Sequence, residues 1–222
     1  MISAADESRS LPKWTQSKGE ELANSISHGV GLIAALVGSP ILLQAALERG
    51  SAGFFIGTIV FTVTMLFLYL GSTLYHAWPR TRTKVTLQVL DHSAIFLLIA
   101  GTYTPFALGP LRDRGGLAIL GLIWACAAFG VGMKLTRGPS RHPKLAMSLY
   151  LGMGWLIPIA NHPLALAIPL SAGIWLLVGG VAYTAGILFF ANERLRYAHF
   201  IWHLFVLAGT SCHFAAVFSC AS

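Results

Sequence analysis

Apolar positions in this chain come in long runs, and polar ones are gathered at the breaks between them. Seven such runs cover 24–47, 53–77, 88–108, 116–134, 144–160, 171–190 and 197–219. Each approaches the roughly 20 mostly apolar residues that a helix needs to cross the hydrocarbon core of a bilayer. None shows the alternation over roughly ten residues that marks a transmembrane β-strand, and closed barrels are the only other way to satisfy every backbone group in lipid. The pattern predicts an all-α fold, a bundle of seven transmembrane helices. It also divides the chain into a short cytoplasmic tail over 1–19 and a membrane domain over 20–222. The tail holds Asp6 and Glu7 but no apolar core, so it does not read as a cleaved signal peptide, and the first span is expected to be retained.

Composition sharpens the class. Of 222 residues, 55% are hydrophobic and 10% charged, against about 25% charged in a soluble domain. Seven spans and their loops use nearly the whole chain, which leaves no room for a separate soluble domain. Charge then sets an orientation. The tail (Arg9, Lys13, Lys18) and three connections (Arg80, Arg82, Lys84; Lys134, Arg137, Arg141, Lys144; Arg194, Arg196) put 12 basic residues on one side of the predicted helices, while Arg49, Arg112 and Arg114 make 3 on the other. The side richer in Lys and Arg faces the cytoplasm, so the N-terminus is expected inside and the C-terminus outside. The net charge of +7 is accounted for by these short loops. No aromatic residues interleave with them as a nucleic-acid groove would require, so no nucleic-acid partner is expected. Cys126, Cys212 and Cys220 are odd in number and contain no CxxC pair, which predicts neither a disulfide framework nor a zinc finger.

The chemistry must therefore come from polar residues inside the helices, where an ionisable group is costly and is a candidate for function. His76 ends the second predicted span and Asp91 opens the third. His199 and His203 occupy the first two turns of the seventh, and Glu20, Asn24 and His28 lead into the first. All fall at the cytoplasmic ends of their spans. His199 and His203 stand at i and i+4 on one helix face, with Cβ atoms about 6 Å apart, a spacing suited to a single metal ion. His76 from another helix could supply a third nitrogen. Three histidines and an open position make the arrangement of a catalytic zinc site, whereas four protein ligands close a structural one. Asp91 then becomes a candidate for handling water beside the metal, and Ser72, one turn before His76, a candidate donor to an oxyanion.

Each element also has a plainer reading. His28 can be a packing hydrogen-bonder, Asp91 can cap its helix or meet Arg82 or Lys84, and Ser72 can bond back to a carbonyl of its own helix. His142 and His162 fall in loops and are expected to be solvated. His213 lies ten residues beyond His203, about 15 Å further along the axis at 1.5 Å per residue. It is therefore expected outside the ligand set, bonding across helices or lining a polar path above the metal.

The set S72-x3-H76, Asp91 in LDHSAIFLLIAGTYTPF and H199-x3-H203 resembles the superfamily of bacterial hemolysin III-like proteins, progestin and adipoQ receptors and alkaline ceramidases. The lead-in E20-x3-N24-x3-H28-G29, the GTYTPF stretch and GGVAYTAGILFF look most like the hemolysin III branch. The resemblance covers nearly the whole chain after Glu20. It implies seven helices with the N-terminus inside, Zn2+ held by His76, His199 and His203, Asp91 near a zinc-bound water, and Ser72 as the serine of the S-x3-H motif. The long N-terminal domain of the animal receptors is absent, which argues against a hormone-receptor role. The expected function is a metal-dependent hydrolase of a lipid-like amide or ester, embedded among membrane lipids in a bacterial plasma membrane. The alternative is a sensor or channel-like hemolysin with a structural metal. Haem ligation is disfavoured, because axial ligands approach from opposite faces while His199 and His203 share one.

Overall fold

The computed structural model describes residues 16–139, 142–156, 167–192 and 195–221. Seven α-helices are found there: α1 (Lys18–Glu48), α2 (Ala52–Ala77), α3 (Arg82–Leu108), α4 (Gly116–Arg137), α5 (Pro143–Gly154), α6 (Leu170–Phe190) and α7 (Ala198–Ala221). Among the described residues there is no strand. Six of the helices, all but α5, are long and apolar enough to cross a membrane. The expected fifth span runs on to 160, and its last four residues, with most of the tail over 1–19, Arg141, His162 and Arg194, lie outside the described residues.

The packing is that of a protein solvated by lipid. On α1 the large apolar residues Leu22, Ile26, Val30, Ile33, Val37 and Ile41 are exposed, at a spacing that keeps them on one face. The opposite face buries Asn24, Ser27, His28, Gly31, Ala35 and Ser39. A helix in water would be turned the other way, with its apolar stripe facing the core. Small and polar residues inside let backbones approach closely, which is how helices associate when lipid removes the hydrophobic drive between them. In chain order, α1 packs on α2, α2 on α3 and α3 on α4; α6 packs on α7, and α7 returns to α1. The Trp155 indole, just past α5, donates to Thr184 of α6 at 3.0 Å and joins the two ends of this series.

One close approach gives a stability test. A Cβ on Gly57 of α2 would run into the backbone of Thr104 and Pro105 in α3, whereas one on Gly71 of the same helix would meet nothing within 4 Å. Gly57→Ala is expected to destabilise the protein by about 1–3 kcal/mol, the usual effect of overpacking. Thermal unfolding in detergent should show a lowered midpoint for Gly57→Ala and an unchanged one for Gly71→Ala.

α1 begins six residues before the expected first span because its start is capped. The Ser17 hydroxyl accepts from the Glu20 N–H at 3.3 Å, and the Glu20 carboxylate accepts from the Ser17 N–H at 2.8 Å, a reciprocal capping box. The other oxygen of Glu20 accepts from the Tyr197 N–H at 2.9 Å. One carboxylate thus starts α1 and ties it to the residue just before α7.

Candidate metal centre

That tie brings the histidines together. His76 is the last residue but one of α2, and His199 and His203 lie in the first two turns of α7. One ligand atom from each comes within 4.8 Å of the others. The ring of His76 lies 5.0 Å from those of His199 and His203, which are 4.6 Å from each other. His76 and His203 are 3% and 2% exposed. Among the described residues this is the one such group of His, Cys, Asp or Glu. Asp91 is not part of it.

Hydrogen bonds decide which nitrogen of each ring is available. The Nδ1 of His76 sits 2.9 Å from the Glu21 carboxylate, which only accepts, so Nδ1 carries the proton. Its Nε2 is buried without a hydrogen-bond partner. The Nδ1 of His203 faces the Asn24 carbonyl at 3.2 Å and the Ser27 hydroxyl at 3.1 Å. Ser27 already donates to that carbonyl at 2.8 Å, so both neighbours accept and Nδ1 again donates. The Nε2 of His199 is buried and unpartnered too. Orphaned buried nitrogens are rare in folded proteins. Here they belong to rings whose ligand atoms converge, and the donor set fits a divalent metal that favours imidazole, zinc among them.

α1 is the wedge that sets this arrangement. Its face bearing Glu20, Asn24 and His28 lies along α7, where His28 stacks on His203 with ring centroids 3.6 Å apart and planes 7° from parallel. Its adjoining face meets α2 through Glu21 and through Ser25, whose hydroxyl donates to the Thr73 carbonyl at 3.2 Å. Both ring nitrogens of His28 lack a partner, so its role is stacking and not the cross-helix hydrogen bond of the plainer reading.

Two of the converging rings, His199 and His203, border a cavity of about 100 Å³ among α1, α2, α3, α5, α6 and α7; His76 does not line it. Ser72, Asp91, His28, His199, His203 and His213 line it together with mostly apolar side chains such as Leu68, Ile95 and Val206. Ser72 is fully buried and Asp91 nearly so, and the Ser72 hydroxyl has no hydrogen-bond partner among the described residues. Asp91 does not open its helix, as the sequence reading had it, because α3 starts nine residues earlier at Arg82. It is an interior residue facing the cavity. His213 is outside the converging set; it packs on Tyr183 with ring centroids 5.3 Å apart, in the same cavity. His142 is exposed, with its Nε2 3.5 Å from Arg137. The three cysteines are free.

Sequence reasoning missed Glu21, Ser27 and Lys84. Lys84 was counted as a loop cation, yet it is 1% exposed, and its ammonium lies 3.0 Å from Glu21 while donating to the carbonyls of Tyr75 at 2.8 Å and Trp78 at 3.2 Å. The one available signal was a pair of acids at the mouth of an apolar run.

Most of the chain is similar to known proteins. A family model described as haemolysin-III related matches residues 16–214. The chain is 40% identical over 198 residues to a Bacillus subtilis (strain 168) protein named hemolysin-3 homolog, an alignment covering 89% of this chain and 92% of that one. It is 41% identical over 207 residues to hemolysin-3 of Bacillus cereus, covering 93% and 94%. A more distant similarity, 26% over 206 residues, links it to the human monocyte to macrophage differentiation factor, with 89% and 83% covered.

Proposed function

The chain belongs to the haemolysin-III related family of multi-pass membrane proteins, and from that premise we propose that it holds one zinc ion on His76, His199 and His203 and hydrolyses a lipid-like amide or ester. The observation that carries this reading is the convergence of three histidines, two with unpartnered Nε2 atoms, of which His199 and His203 line an apolar cavity that also presents Ser72 and Asp91. When bound, the ion would supply Lewis acidity, polarising a carbonyl and lowering the pKa of water to about 7. In this reading Asp91, which lines the same cavity, takes the proton of an attacking water. Ser72, whose buried hydroxyl is unpartnered, donates in this reading to the oxygen on which negative charge develops, a donor of the kind that stabilises such charge. The apolar walls favour a substrate already dissolved in the bilayer. In the alternative reading a structural ion needs a fourth protein ligand to close the site; three groups converge among the described residues, which supports the open, catalytic form.

Metal analysis of purified protein, joined to profiling of products from membrane lipids, tests the proposal. About one zinc per chain and a chelator-sensitive lipid product are expected. Protein without bound divalent metal would overturn it, and metal without product would leave the structural-ion reading.

The reading also places the N-terminus in the cytoplasm and the metal in the cytoplasmic leaflet of a bacterial plasma membrane, supported by the distribution of Lys and Arg. A reporter fused after Ser222 should be active only outside the cytoplasm, and one inserted in the 136–141 loop only within it. The reverse pattern would move the site to the other leaflet.

A further inference from the structure

We propose that Glu21 is a positioning residue for the metal, acting through His76, and that Lys84 holds it there. The inference rests on the zinc reading above. A carboxylate that accepts a hydrogen bond from the far nitrogen of a ligating histidine fixes its tautomer, sets the ring plane and makes the ligating nitrogen more basic. Glu21 meets that description: its Oε2 lies 2.9 Å from Nδ1 of His76, and its side chain is 12% exposed against 0% for the histidine. Asn24 offers a competing contact to the same Nδ1, but at 3.5 Å and with an amide nitrogen that already donates to Gln16 at 2.9 Å. The shorter, charge-assisted bond wins.

Lys84 gives the carboxylate its fixed position. Its ammonium bonds the same Oε2 at 3.0 Å, and its remaining donors are spent on the carbonyls of Tyr75 and Trp78, which flank His76 in sequence. The lysine thus grips the end of α2 from the first turn of α3 and hands Glu21 of α1 to His76. Three helix ends are joined in one line that terminates on the Nε2 of His76. His203 instead has a backbone carbonyl and a hydroxyl at its Nδ1, so the carboxylate device described for His76 is not used there.

The test measures zinc affinity by chelator competition on the full chain in detergent. Cobalt absorption bands, which report ligand geometry, are recorded alongside, and metal-free thermal unfolding checks the fold. Glu21→Ala is expected to weaken zinc by roughly 10–100-fold, the cost of losing such an outer partner. Glu21→Gln should lose less, because its amide oxygen still accepts from Nδ1–H, and it keeps the side chain's shape should the alanine variant fail to fold. Both should alter the cobalt bands, which Gly57→Ala, destabilised at a distance, should leave as they are. Lys84→Met is expected to weaken zinc too, and Glu21→Ala with Lys84→Met together no further than Glu21→Ala alone, since residues on one path are not additive. Wild-type affinity and bands in both Glu21 variants would overturn the proposal while leaving the zinc site standing. Fully additive losses would overturn the role given to Lys84. A wild-type protein that binds no zinc would overturn both readings together.

Discussion

His203→Ala is expected to strip the protein of nearly all its metal. The substitution removes one of three nitrogens and leaves His76 and His199 to hold an ion from different helices. Its effect must exceed the roughly 10–100-fold loss that follows from removing an outer partner. The same change takes away the ring on which His28 stacks at 3.6 Å, so part of the wall collapses with the ligand. Zinc per chain, measured on purified variants, should fall from about one to near zero for His203→Ala, and likewise for His76→Ala and His199→Ala. His213→Ala is the control, because His213 shares the cavity but not the converging set. If His213→Ala loses as much metal as His203→Ala, the ion is held elsewhere in the cavity.

Asp91→Asn should separate holding the metal from using it. Asparagine keeps the shape of the side chain but cannot take a proton, and general acid–base catalysis contributes about 10²–10⁴-fold. Zinc content is therefore expected to stay near wild type while the rate of lipid hydrolysis falls by about that factor. Ser72→Ala should also keep the metal, with a smaller loss of rate, since it removes one donor and leaves the proton acceptor. Undiminished turnover in Asp91→Asn would make the carboxylate a structural residue and remove the main support for hydrolysis.

Much of this was legible before the structure. Long apolar runs placed the helices to within about six residues at their ends, because crossing lipid constrains length and composition more than any soluble context does. The helix-turn spacing of His199 and His203 and the placement of His76 at the end of its run were enough to anticipate that the three rings converge. The start of α1 was not anticipated, because a capping box is a matter of three residues in a polar stretch and is outweighed there by hydropathy. Glu21 and Lys84 were missed for a different reason. Their partners lie on other helices, Glu21 being 55 residues from His76 in sequence, and charge counting treats every cation beside a span as solvated. What distinguishes Lys84 from Arg82, two residues away, is a set of carbonyls at the end of α2 that only the folded bundle brings within reach. His28 was weighed as a hydrogen-bonder; its stacking could not be read from sequence, because it depends on the approach of α1 to α7.

The three converging histidines are split between α2 and α7, with α1 packed against both. During synthesis this imposes an order of events. Helices α1 to α6 can enter the bilayer as they emerge, but two of the three nitrogens arrive only with the final stretch from Ala198 onward. On the proposed site, a nascent chain therefore has nowhere to load an ion until α7 has been made. Metal uptake there would then report that α1, α2 and α7 have all been inserted, and a product truncated before α7 is expected to be inert toward the ion.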